Sequence, residues 1–224
     1  MYEDSDLQRI YNKEYFEGRG SEQKWTRRAK FIVEKFQPKK TLDIGCSWGQ
    51  LVYHLNENGV DAFGIDGSDA ALAEANKSIK DKVHKVNLNT DSFPFDDKTF
   101  DFITGFYSIE HIHNFEFFTT ELKRILKDEG IAWFLTPNEG EEFRNEKDVF
   151  TNKFEDWKKI FEKYGFSVKD FDPYEMMELK GKLSKFRLYK LPTPLQSIVK
   201  KIVYDITNRV SMKDSSFLVR KINS

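Results

Sequence analysis

The segment Thr41-Leu42-Asp43-Ile44-Gly45-Cys46-Ser47-Trp48-Gly49-Gln50-Leu51 decides the fold class of this chain of 224 residues. Apolar residues run into a carboxylate, two glycines follow four apart, and Leu51 to Asn58 is compatible with a helix. A buried parallel strand, a glycine turn and a helix in that order let backbone approach a ligand at the strand's C-terminal end. Working outward, Val60-Asp61-Ala62-Phe63-Gly64-Ile65-Asp66 reads as a second short strand that also ends in a carboxylate. An acid at that place can accept from both hydroxyls of a ribose. The pair of strand ends therefore points to a nucleoside ligand.

The glycine spacing separates two nucleoside classes. A dinucleotide site uses G-x-G-x-x-G, with a pyrophosphate at the helix N-terminus. Here the spacing is Gly45-x-x-x-Gly49, with Asp43 beside it. A carboxylate there repels a pyrophosphate and suits a ligand carrying an ammonium and a sulfonium, which is S-adenosylmethionine. These residues resemble the first motif of the class I S-adenosylmethionine-dependent methyltransferases, roughly Asp-x-Gly-x-Gly-x-Gly. Ser47 stands where that motif has its middle glycine.

The resemblance extends over residues 11 to 172. Asn87-Leu88-Asn89, then Phe93-Pro94-Phe95 and Phe100-Asp101-Phe102-Ile103, is similar to the family's adenine-contact turn and fourth strand. The family has an acid near Asn87 or Asn89; an Asn carbonyl can accept the same bond. Glu110-His111, Glu121 to Leu126 on the next helix, and Gly130 to Pro137 as a fifth strand continue the match. The resemblance implies an α/β, Rossmann-like, seven-stranded sheet, mostly parallel with an antiparallel last strand and helices on both faces. It implies S-adenosylmethionine as cofactor, contacted by Asp43, Gly45, Cys46, Ser47 and Gly49, by Asp66 and Gly67 at the ribose, by Asn87 and Leu88 at the adenine, and by Phe106 near the sulfonium.

His111, just beyond the fourth strand, is the candidate general base for an acceptor hydroxyl. The alternative is that Glu110 and His111 only shape the helix start. His113 nearby raises a metal site, but no well-spaced acidic trio accompanies it, and no metal is expected. Cys46 reads as a small apolar filler, Trp133 and Trp157 as core, and His54 and His84 as packing or surface residues. Gly105-Phe106-Tyr107-Ser108 is not the Asn/Asp-Pro-Pro-aromatic tetrapeptide of base-amino methyltransferases, and there is no Pro-Cys nucleophile. A small or lipid- or glycan-linked acceptor is therefore expected, with oxygen as the methylated atom, and no nucleic acid. A non-catalytic cofactor-binding protein on the same scaffold is the alternative. An NAD-dependent oxidoreductase is disfavoured by the glycine spacing.

Composition agrees with a single core domain and an appendage. Hydrophobic residues make up 39% and charged residues 33%, an ordinary balance for a folded chain. No apolar run approaches the roughly 18–20 residues that span a bilayer. The acidic start Met1 to Asp6 is no secretory signal, and the lone Cys46 fits a reducing compartment, the cytoplasm by default. Residues 175–224 carry 11 Lys/Arg against 4 Asp/Glu, while the remainder carries 25 against 33.

The expected organisation is an N-terminal lid and helix (1–36), the methyltransferase core (37–172), a basic helical insertion over the acceptor site (173–214) and the final strand (215–224). Ser21 to Phe36 reads as a helix stopped by Pro38. Tyr11, Tyr15 and the insertion are placed over the acceptor. Within the insertion Leu195, Ile198, Val199, Ile202, Val203, Ile206 and Val210 form one apolar stripe. That helix has two outlets, packing as a lid or peripheral membrane contact through 195–210. Oligomeric state is left open.

Overall fold

The computed structural model describes residues 22–137, 153–171 and 214–222. Tyr11, Tyr15, the insertion, and with it the amphipathic stripe, lie outside the described residues. The chain begins with α1 (Glu22–Phe36), followed by β1 (Lys40–Ile44), α2 (Gln50–Glu57), β2 (Asp61–Asp66), the short α3 (Asp69–Ala73) and β3 (Val83–Lys85). Then come β4 (Phe100–Phe106), α4 (Phe115–Ile125), β5 (Leu126–Pro137), α5 (Phe154–Lys163), β6 (Phe166–Asp170) and β7 (Asp214–Lys221).

The seven strands form one sheet in the order β3-β2-β1-β4-β5-β7-β6. β1 to β5 pair in parallel, while β7 runs antiparallel between β5 and β6. This is the doubly wound, Rossmann-like sheet with an antiparallel last strand that the sequence predicts. The strand order reverses at β1, which sends α2 and the segment after β4 to opposite faces and opens a crevice beyond the β1 and β4 ends.

Alternation along the central strands builds two cores. Phe102, Phe106, Trp133 and Leu135 face α1 and α2, where Ala29, Ile32, Leu51, Val52 and Leu55 meet them. Phe100, Ile103 and Phe134 face α4 and α5 with Phe118, Leu122, Trp157 and Phe161. Trp133 and Trp157 are fully buried, as expected for core. Aromatic packing is dense: Phe134 stacks on Phe161 at 5.3 Å, and Phe106 meets Trp133 edge-on at 4.8 Å. Each such pair adds about 0.5–1.5 kcal/mol beyond its buried area.

A polar clamp fixes the loop before β4. The Arg124 guanidinium donates to the Phe93 and Phe95 carbonyls at 2.9 and 2.6 Å. It also donates to Glu121, whose carboxylate in turn accepts from the Phe93 amide at 2.7 Å. The Arg124 hydrogen bond, first, holds the Glu121 carboxyl below the usual carboxylate range against the opposing effect of burial. Glu121 to Leu126 and Phe93-Pro94-Phe95, read separately in the sequence, are thus one structural unit. No helix among the described residues is long and apolar enough to cross a membrane.

Candidate functional site

The turn after β1 is built from left-handed backbone. Gly45, Ser47 and Gly49 have φ of 73°, 53° and 75°. For glycine this conformation is free of steric cost; for an L residue such as Ser47 it is strained. The amides of Gly45 and Cys46 donate to the Ile65 carbonyl at 2.8 and 3.0 Å, so the turn is tied to β2. A Cβ on Gly45 would stand 2.5 Å from the Ser108 Cβ, which requires glycine there on two counts. Gly49 is required for a different reason: its Cβ would stand 2.6 Å from the Ile79 side chain, on the packing side of the turn.

Asp66 ends β2 beside this turn. One carboxylate oxygen accepts from the Ser47 amide at 2.8 Å and the other from the Ser68 amide at 2.8 Å. The carboxylate is therefore held in a fixed orientation, with a further lone pair on each oxygen for ligand hydroxyls. Burial raises its pKa above the usual carboxylate value, opposed by the two amides. Asp43, one strand over, is 5% exposed. Burial lifts its pKa to about 7, against the pull of a Thr104 hydrogen bond and the Arg28 charge, and the Asp66 charge pushes it further up.

Asn87 and Asn89 shape the far end. The Asn87 side-chain oxygen accepts from the Asn89 amide at 3.1 Å, and the Asn89 oxygen accepts from the His113 and Asn114 amides at 2.7 and 3.0 Å. The Asn89 side chain thus ties the loop after β3 to the segment after β4, while that of Asn87 braces its own loop. His111 lies on a single 3₁₀ turn (Ile109–His111), its Nε2 4.0 Å from the buried Glu110 carboxylate.

One cavity of about 440 Å³ joins these groups, within the usual size for small-molecule sites. Asp43, Gly45, Cys46, Ser47, Asp66, Gly67, Asn87, Leu88, Phe106 and His111 all line it; Gly49 does not. The buried Cys46 thiol, pushed well above its ordinary pKa by burial and by the charges of Asp66 and Asp43, is inert filler. Among the described residues no cluster of His, Cys, Asp and Glu could hold a metal ion.

Sequence reasoning missed the contribution of α1: Lys24 and Trp25 also form the wall, opposite the strand ends. A residue of one helix is brought to the site by tertiary packing alone. The only local signal was the spacing of Lys24, Trp25 and Arg28, which shares one helix face.

Fold and site together define a doubly wound α/β protein with a cavity of about 440 Å³ at the strand ends, bordered by the Asp43 and Asp66 carboxyls and the turn after β1. Comparison with known proteins gives the same class. Residues 42–134 match a family described as a methyltransferase domain. The chain is 33% identical over 101 residues to a ubiquinone biosynthesis O-methyltransferase of Pelagibacter ubique, covering 44% of this chain and 42% of that protein. It is 28% identical over 124 residues to a demethylmenaquinone methyltransferase of Thermotoga maritima, covering 53% and 54%. The matches thus span about half the length of these curated relatives. The solved structure of a methyltransferase from Archaeoglobus fulgidus superimposes with a TM-score of 0.63 at 17% identity, covering 93% of this chain and 98% of that one. Residues 42–134 thus match a methyltransferase domain, and the sheet as a whole shares the fold of a solved methyltransferase.

Proposed function

We propose that the protein transfers a methyl group from S-adenosylmethionine to an oxygen of a small or lipid-linked acceptor by in-line displacement. The observation that carries this reading is the single cavity in which Asp66, the Gly45–Ser47 turn and His111 converge. The residues fit the cofactor. The oriented Asp66 carboxylate suits a ribose diol, the Gly45–Ser47 turn borders the cavity beside it, and a carboxylate at Asp43 suits an ammonium.

The cofactor supplies an electrophilic methyl carbon on its sulfonium. The chain's own contribution is alignment and exclusion of water, which can account for most of the rate. Phe106, almost fully buried at the end of β4, provides an apolar floor beside the reacting centre. His111 takes the acceptor's hydroxyl proton as the new oxygen–carbon bond forms, and later releases it to solvent. The Pelagibacter relative, named an O-methyltransferase, supports oxygen as the acceptor atom.

The test has two stages. Calorimetry with S-adenosylhomocysteine should show one saturable site per chain. Hydroxyl-bearing small molecules and quinol-type lipids are then screened for S-adenosylhomocysteine release. Absence of cofactor binding would overturn the reading; binding with turnover only on amines or carbon acids would overturn the assignment to oxygen.

A further inference from the structure

One buried side chain joins the two loops that border the cavity on either side of the β3–β4 connection. Asn89, 5% exposed, accepts on its Oδ1 from the amides of His113 and Asn114 at 2.7 and 3.0 Å. Its backbone carbonyl accepts from the Asn114 Nδ2 at 3.2 Å. In the other direction, its amide and its Nδ2 donate to the Asn87 Oδ1 at 3.1 and 3.4 Å. Asn87 is braced in turn: its amide donates to Asp91 at 2.9 Å, and its carbonyl accepts from the Thr90 and Asp91 amides at 3.1 and 2.9 Å.

A side-chain amide oxygen has two lone pairs. Both lone pairs of Asn89 are engaged by backbone amides, so this oxygen has none left for a ligand donor, although the residue borders the cavity. What it holds instead is the chain immediately after His111. The His111 amide donates to the Ser108 carbonyl at 3.3 Å and the Ile112 amide to the Ile109 carbonyl at 3.2 Å, which closes the 3₁₀ turn. The next two amides along the chain are the pair that Asn89 accepts. Beyond them, the Asn114 side-chain oxygen caps α4 by accepting from the Phe117 amide at 3.2 Å. The turn that carries His111 therefore runs from the end of β4 to an anchor on the loop after β3.

We propose that Asn89 is a positioning residue that couples the two ends of the cavity: a nucleoside held at Asn87 and Leu88 fixes, through the Asn89 hydrogen bonds, the place of the His111 imidazole. The inference rests on the methyltransferase reading above, which puts the nucleoside at one end and the base at the other. Coupling of this kind travels through contiguous hydrogen-bonded elements, and cutting the link is what reveals it. Here the link is short, residues 87–89 against residues 111–114, with one side chain between them. The base then stands in place for an acceptor when the methyl donor is bound.

The experiment follows the ring signals of the four histidines by nuclear magnetic resonance as S-adenosylhomocysteine is added to saturation. The His111 signal is assigned by its disappearance in His111→Gln. The expected result is a saturable movement of that signal in the wild type, reduced at least threefold in Asn89→Ala. Asn89→Asp, which keeps an oxygen for both amides, should restore it. Loss of packing alone would not be repaired by that substitution. A movement as large in Asn89→Ala as in the wild type reports the ligand directly and overturns the inference, as does a His111 signal that stays still in the loaded wild type. Loss of S-adenosylhomocysteine binding in Asn89→Ala would make Asn89 a ligand contact and overturn it too. Where Asn89→Ala does not fold, Asn114→Ser is read by the same rule. It keeps a capping oxygen for α4 and removes the side-chain donor to the Asn89 carbonyl. Each of these failures leaves the cofactor reading standing; a wild type that binds no S-adenosylhomocysteine overturns both.

Discussion

The Thr104 hydroxyl donates to the Asp43 carboxyl at 2.7 Å across the β1–β4 ladder, where the two residues are direct register partners. This pairing lets a carboxyl sit 5% exposed at the centre of the sheet. One hydrogen bond does not replace the lost hydration, so Asp43 keeps its proton up to a pH of about 7.

A raised carboxyl pKa favours the folded state at low pH. The contribution is fully present below the unfolded value near 4, and is lost as pH rises through the folded value of about 7. Asp43→Asn keeps an acceptor for Thr104 and removes the titration. The stability of wild type relative to this variant should therefore fall by a few kcal/mol between pH 4 and 8. Urea titrations across that range check it; a constant difference would show that Asp43 ionises normally. Under the proposed assignment of Asp43 to the cofactor's ammonium, ligand binding reverses the preference, because a bound ammonium favours the carboxylate. S-adenosylhomocysteine should bind more weakly as pH falls below 7, with proton release on binding that Asp43→Asn abolishes.

Asp66 tests the other carboxylate. Its two oxygens already hold the Ser47 and Ser68 amides, so Asp66→Ala removes the proposed ribose acceptor and loosens the turn together. Affinity for S-adenosylhomocysteine should fall by about 1.5–3 kcal/mol, the range for hydrogen bonds to a charged group. Calorimetry on a folded variant with unchanged affinity would remove Asp66 from the site.

Much of this arrangement was legible in the sequence, for local reasons. Strand ends carry their own signature, and the turn after β1 shows its left-handed backbone in Gly45 and Gly49. What the sequence concealed was long-range. Gly49 belongs to the same motif as Gly45, yet its missing Cβ makes room for Ile79 rather than for the cavity. Lys24 and Trp25 read as ordinary positions of an amphipathic helix, because only the packing of α1 on the sheet brings them to the wall. The Arg124 clamp on Phe93 and Phe95 is legible as two motifs but not as one contact.

Ser47 gives a prediction from that same turn. It holds φ at 53°, where an L residue is disfavoured by roughly 1–2 kcal/mol, and glycine loses about 0.5–1 kcal/mol of backbone entropy on folding. Ser47→Gly should therefore raise stability by about 0.5–1 kcal/mol. It keeps the amide that Asp66 accepts from, so affinity for S-adenosylhomocysteine should hold. Denaturant midpoints that fall instead would show that the Ser47 side chain has a stabilising role of its own.

His111 decides how the acceptor proton leaves. It lines the cavity on the turn that follows β4, half-buried, with the Glu110 carboxylate 4.0 Å from its Nε2. If the imidazole takes the proton, His111→Ala should lower turnover roughly 10²–10⁴-fold. Affinity for S-adenosylhomocysteine should change little, since the ribose and adenine ends of the cavity are untouched. His111→Gln separates the two roles of the residue: it restores bulk and a hydrogen bond but no base. A glutamine variant as slow as the alanine variant supports proton transfer. Recovery of wild-type turnover in the glutamine variant would make His111 a wall of the pocket, and the rate would then rest on alignment against Phe106 alone.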